Sequence, residues 1–90
     1  MNTQQLHKLV DCVKEINQFL EADALISVSR DGFLNPETRA QISSYAFNDY
    51  LDLKEIQVNH RANKDFPYEV YFLEDDIRFF AIYKENPLKK

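Results

Sequence analysis

Apolar positions recur along the chain first at helical spacing and later at strand spacing. Leu6, Leu9, Val10, Val13, Ile16 and Leu20 follow at steps of three and four, opposite Gln4, Lys8, Asp11, Lys14, Glu15 and Gln18, which predicts an amphipathic helix over about residues 3–22. Asn2 with Gln5 three residues on makes a capping-box start, and Cys12 and Phe19, seven apart, widen the apolar side. Ala24, Ile26 and Val28 then alternate with Leu25, Ser27 and Ser29 up to Asp31-Gly32, a strong turn dipeptide. A strand is expected there, with room for a short return through Phe33 and Leu34.

Asn35-Pro36-Glu37 has the form of a helix start: an Asn cap, a proline where its missing N–H costs nothing, and an acid in the first turn. Ile42, Tyr45, Ala46, Tyr50 and Leu53 fall on one broad face, so a second helix is expected over about 36–51. A strand competes for the same residues, because Tyr45, Phe47, Leu51 and Leu53 share parity; the cap favours helix. From Lys54 to Arg61, Ile56, Val58 and His60 alternate with Glu55, Gln57 and Asn59, the pattern of a half-buried strand. Ala62 to Pro67 reads as a polar loop, with Pro67 biasing Phe66 to extended backbone.

The stretch Tyr68 to Tyr83 dominates the chain. Residues 66–83 hold seven of the twelve aromatic residues, and two alternating runs flank Glu74-Asp75-Asp76, so a hairpin is expected. Tyr68, Val70 and Phe72 with Ile77, Phe79 and Ala81 make one face; Tyr71, Leu73, Phe80 and Ile82 leave the other apolar too. That second face needs a cover. The expected architecture is a single two-layer α+β domain over 1–90, helix-strand-helix followed by a three-stranded antiparallel meander, with about four strands and two helices. Residues 84–90 are expected to form a flexible basic tail.

Composition narrows the class. Ninety residues suit one domain with stability of about 5–13 kcal/mol, and a dimer interface would supplement so small a core. The net charge is −4, with +2 in the last seven residues and hence −6 in residues 1–83. Such a body disfavours phosphate backbones, so nucleic-acid binding is not expected. A single cysteine, Cys12, allows no internal disulfide, and no run approaches a membrane span, so a cytoplasmic protein without a membrane anchor is expected.

Candidate chemistry is sparse. One glycine, Gly32, excludes the phosphate-cradling loops that need several. His7 and Asp11 share a helix side but are two ligands where a metal site needs three or four, so no metal and no cofactor is expected. No serine carries the glycines of a nucleophile elbow. Glu74 to Asp76 lacks the spacing of a calcium loop and reads as a solvated turn. His60 and Arg61, with Tyr68 following the loop, could line a pocket in which Arg61 pairs an anion and His60 moves a proton.

The expectation is therefore a non-enzymatic interaction module. Tyr71, Phe80 and Ile82 would supply an apolar contact, and Asp49, Asp52, Glu74 and Asp76 an acidic rim for a protein partner, a basic one fitting best. A homodimer through the spare hairpin face is the expected assembly. In size, acidity and absence of catalytic motif the chain is similar in type to small inhibitors, immunity-type proteins and phage accessory proteins. The alternative is a small-molecule binder or minor enzyme at His60, Arg61 and Tyr68.

Overall fold

The computed structural model describes every residue except Phe33, Asn35, Lys89 and Lys90. Its elements run α1 (Thr3–Glu21), β1 (Leu25–Asp31), β2 (Glu37–Ile42), α2 (Ser44–Phe47), a 3-10 turn (Asn48–Tyr50), β3 (Gln57–His60), β4 (Tyr68–Glu74) and β5 (Ile77–Tyr83). The class is α+β, but the sheet has five strands in the order β1-β2-β5-β4-β3 and is not a three-stranded antiparallel meander. β3, β4 and β5 pair antiparallel in sequence order. β2 then lies parallel to β5, with Ala40 opposite Phe79, and β1 closes the far edge antiparallel to β2.

The strand β2 is the main departure from expectation. Residues 37–42 fall within the segment whose proline start favours helix, yet they form a strand, and only Ser44–Phe47 and the following 3-10 turn are helical. The expected cap at Asn35 and the return at Phe33 lie outside or partly outside the described residues. Thr38, Ala40 and Ile42 do alternate with Glu37, Arg39 and Gln41, but threonine and alanine mark an inward face only weakly. What decides the conformation is a slot between β1 and β5, where backbone groups on both sides of β2 are paired and Ala40 is buried. The helical remnant restarts at Ser43, whose hydroxyl oxygen accepts from Ala46 N at 3.2 Å.

α1 is capped as its first residues specify. Asn2 Oδ1 accepts from Gln5 N at 2.8 Å while Gln5 Oε1 accepts from Asn2 N at 2.9 Å. At the other end Asp23 adopts φ 57°, and Ala24 N reaches the Phe19 carbonyl while Asp23 N reaches that of Leu20, both at 3.2 Å. These two bonds complete a helix-ending motif that usually employs glycine, and they fix the angle at which α1 leaves β1. In the hairpin, Asp75 and Asp76 have φ 49° and 64°, the pair of left-handed residues that a tight two-residue turn requires.

The core lies on one face of the sheet, beneath α2. Phe47 and Val70 are completely buried, with Phe72, Ala81 and Ala40 nearly so. Phe47 packs on Phe72 at 5.5 Å and on the edge of Tyr83 at 6.3 Å, while Phe72 stacks on Phe79 at 5.4 Å. Lys54 bonds Glu74 at 2.6 Å and sits over the Phe72 ring, closing the core at that end. Of the expected flexible tail, Asn86 and Pro87 are half-buried, and Lys89 and Lys90 lie outside the described residues.

Tyr83 ties the sheet to the covering segment. Its hydroxyl lies 2.8 Å from Asn48 Oδ1 and 3.2 Å from the Ser44 carbonyl, donating its one proton to this pair of acceptors. Burial pushes the phenol up from 10.0 to about 12. A folded value above the unfolded one means that the stabilisation is fully present below pH 10 and is lost as pH rises toward about 12. Urea unfolding across that window should show a decline that Tyr83→Phe lessens; an unchanged slope would contradict the assignment.

Candidate functional site: the open face of the sheet

The two faces of the sheet differ in what covers them. α2 and the 3-10 turn lie on the core face, and α1 joins the sheet at β1. Among the described residues no helix lies on the opposite, open face. Parity and register place Glu37, Arg39 and Gln41 of β2, Arg78, Phe80 and Ile82 of β5, and Glu69, Tyr71 and Leu73 of β4 on it.

At its centre is a two-arginine, two-glutamate network. Arg39 and Arg78 are register partners on the parallel strands β2 and β5, a like-charge juxtaposition that is unfavourable alone. Each guanidinium leans over an aromatic ring, Arg39 at 4.4 Å from the Phe80 centroid and Arg78 at 4.1 Å from that of Tyr71. Both converge on Glu69: Arg39 bonds its Oε1, and Arg78 Nη1 lies 3.7 Å from its Oε2. Arg78 Nε meets Glu37 Oε1 at 2.5 Å without hydrogen-bond alignment, and Arg39 Nε has no partner among the described residues. The cluster is neutral in sum, stacked on two rings and unsaturated in hydrogen bonding.

The predicted apolar residues are brought together, though not bare. Tyr71 and Phe80 are register partners and Ile82 lies on the same face opposite Glu69. All three are half-buried, with Tyr71 and Phe80 stacked against the arginines. Leu73, on the same face, is 62 % exposed and is its most open apolar side chain. The acidic rim is divided. Glu74 and Asp76 flank the β4–β5 turn, at the strand end where Asp31 and Glu37 also lie, whereas Asp49 and Asp52 belong to the segment covering the core face. Glu74 is already paired with Lys54.

The alternative pocket is also partly assembled. His60 and Tyr68 are register partners with ring centroids 5.0 Å apart. Arg61 is committed to its own loop: its Nη1 donates to the Phe66 carbonyl at 3.1 Å and its backbone N to that of Pro67 at 2.7 Å. An open trough of about 600 Å³ runs over the sheet between Asp31 and the His60–Arg61 end, with Glu37, Arg39, Glu69 and Arg78 in its lining. Tyr68 is not part of it. His7 and Asp11 stand on the exposed helix α1, and no group of three or more metal-ligating side chains occurs among the described residues. No helix of the described residues is long and apolar enough to cross a membrane.

Arg39 and Glu37 are the members of this face that the sequence pattern misses. Both fall within the segment expected to be helical, so nothing local puts them beside Arg78. The one available signal is the alternation of the long polar side chains Glu37, Arg39 and Gln41 with Thr38, Ala40 and Ile42. Neither family models, curated proteins nor solved structures yield a match to this chain.

Proposed function

We propose that the chain is a non-enzymatic interaction module that docks a protein partner on the open face of its sheet. The observation that carries this reading is the pre-formed cluster of Tyr71, Phe80, Arg39 and Arg78, uncovered by any helix of the described residues. Tyrosine and arginine are the residue types that dominate interface hot spots, and ring stacking holds these arginines so that little rotamer freedom is lost on binding. Ile82 and Leu73 extend the apolar contact. Asp31, Glu37, Asp75 and Asp76 make one end of the face acidic, which suits a partner presenting an apolar patch beside basic residues. Inhibitor-like masking of a basic protein within the cytoplasm is the form of action that best fits these features.

The test is a comparison of surface variants. A partner captured from the native host and then purified should bind Leu73→Glu at least roughly tenfold more weakly than wild type, as expected for a charge placed in a desolvated contact. Tyr45→Glu, at an 87 % exposed position on α2, should bind as wild type. Equal binding by both variants would overturn the reading. The trough favours a second reading, a small molecule held above Arg39 and Arg78. A ligand at 100 times its dissociation constant would add about 2.7 kcal/mol of stability, readable as a thermal shift.

A further inference from the structure

α1 is amphipathic, yet its apolar stripe is left open in the single chain. No residue of the helix is buried, and Leu6, Leu9, Val10, Val13, Phe19 and Leu20 are each 38–58 % exposed. The molecule is accordingly elongated, 51 × 33 × 25 Å with a radius of gyration of 15.0 Å, against about 12 Å for a compact domain of this length. A 19-residue helix packed only at its base lacks the tertiary packing of its apolar face from which most helical stability comes. Something must cover it.

The pattern of the stripe identifies the cover. Leu6, Leu9, Val13, Ile16 and Leu20 follow at steps of three, four, three and four, the seam of a helix that packs lengthwise on another helix. The charges on α1 run against its own dipole: the first turn has no acid, the last turn no base, and Glu21 sits at the C-terminal end. A second α1 laid antiparallel corrects this. With the two-fold axis level with Asp11, Leu6 meets Ile16 of the second copy and Leu9 meets its Val13. Glu21 then lies beside the first turn of that copy, where the dipole favours negative charge. A parallel pair would set like helix ends side by side.

We propose that two copies of this chain associate through α1, antiparallel and two-fold symmetric. This surface is separate from the open face, so either proposal can fail without the other. The exposed apolar side chains offer roughly 500 Å² per copy, hence about 1,000 Å² in the pair, which reaches the lower bound for a specific interface. Each copy so covers the stripe of the other.

Light scattering and sedimentation equilibrium over a dilution series of the full chain read the outcome. Wild type should run at twice 10.7 kDa at micromolar concentration and dissociate on dilution. Val13→Glu places two carboxylates at the middle of the seam and should raise the dimer dissociation constant by roughly a hundredfold. The variant should keep the wild-type near-ultraviolet dichroism, because Val13 is not buried in the single chain. Leu9→Lys should likewise weaken the dimer, and combined with Val13→Glu it should recover part of the affinity, because Leu9 meets Val13 of the second copy only in the antiparallel register. Wild type monomeric at every concentration, or a Val13→Glu dimer as tight as wild type, would overturn the proposal. Failure of the Leu9→Lys, Val13→Glu double variant to recover affinity would overturn the antiparallel register.

Discussion

Phe47→Ala is expected to leave much of the population unfolded under conditions where the wild type is folded. Phe47 is completely buried and touches both Phe72 and Tyr83, so truncation removes the transfer free energy of a whole ring and leaves a cavity that a sheet cannot collapse to fill. Such changes cost about 3–5 kcal/mol, a large share of the about 5–13 kcal/mol available to a domain of this size. The side chain is also the anchor of a four-residue helix, too short to persist once undocked. Urea unfolding followed by tyrosine fluorescence should show the loss as a lowered midpoint. Tyr45→Ala, two residues away but 87 % exposed, should stay within about 0.5 kcal/mol of wild type. Equal and small effects at both positions would mean that α2 does not seal the core.

Phe47 also shows where sequence and structure part. The expected helix face turns Ile42, Tyr45, Ala46, Tyr50 and Leu53 inward, yet Tyr45 and Leu53 are exposed and Phe47 is completely buried, because the segment breaks into a strand and a short turn of helix. The alternation of Val70 and Phe72 with Phe79 and Ala81 does set one face of the hairpin inward, and Phe47 packs on that face. Such period-two patterns are dense in aromatic and branched residues and need no knowledge of distant chain. The capping box of α1 is equally local. β2 is not. Its sequence, ETRAQI, has modest strand preference and follows a proline that suits a helix start. Its conformation is decided by pairing with β5, whose partners lie 39 positions later in the chain, and no window of ten or fifteen residues contains that information.

The same long-range pairing governs how much of the site was legible. Tyr71, Phe80 and Ile82 share a face because they lie on adjacent hairpin strands, which the alternation states outright. Their stacking under Arg39 and Arg78 depends on β2 being a strand, and so was out of reach. The acidic residues divide for a related reason: Asp49 and Asp52 are carried to the core side by α2 and the 3-10 turn, whereas Asp76 stays at the hairpin tip. Runs of like charge in a sequence do not reveal which side of a sheet they occupy.

Glu69→Ala is expected to destabilise the chain by about 2–3 kcal/mol, less than the about 3–5 kcal/mol of a fully buried ion pair that loses one partner, because solvent screens part of the charge. The Glu69 side chain is only 13 % exposed, against 28 % for Arg39 and 24 % for Arg78, so the penalty falls on groups mostly out of water. Removing this carboxylate leaves two register-paired arginines with Glu37 as their remaining counter-charge, and among the described residues Glu37 forms an ion pair with Arg78 and not with Arg39. The repulsion should push Arg39 off the Phe80 ring and open the centre of the face. Glu69→Gln keeps the shape and one acceptor and should cost less than Glu69→Ala, while raised salt should recover part of the loss in both by screening the arginine pair. Urea midpoints for the two variants at low and high ionic strength test this. A Glu69→Ala chain within about 0.5 kcal/mol of wild type would show that the arginines are held by their rings alone, and that the face is organised by stacking rather than by charge.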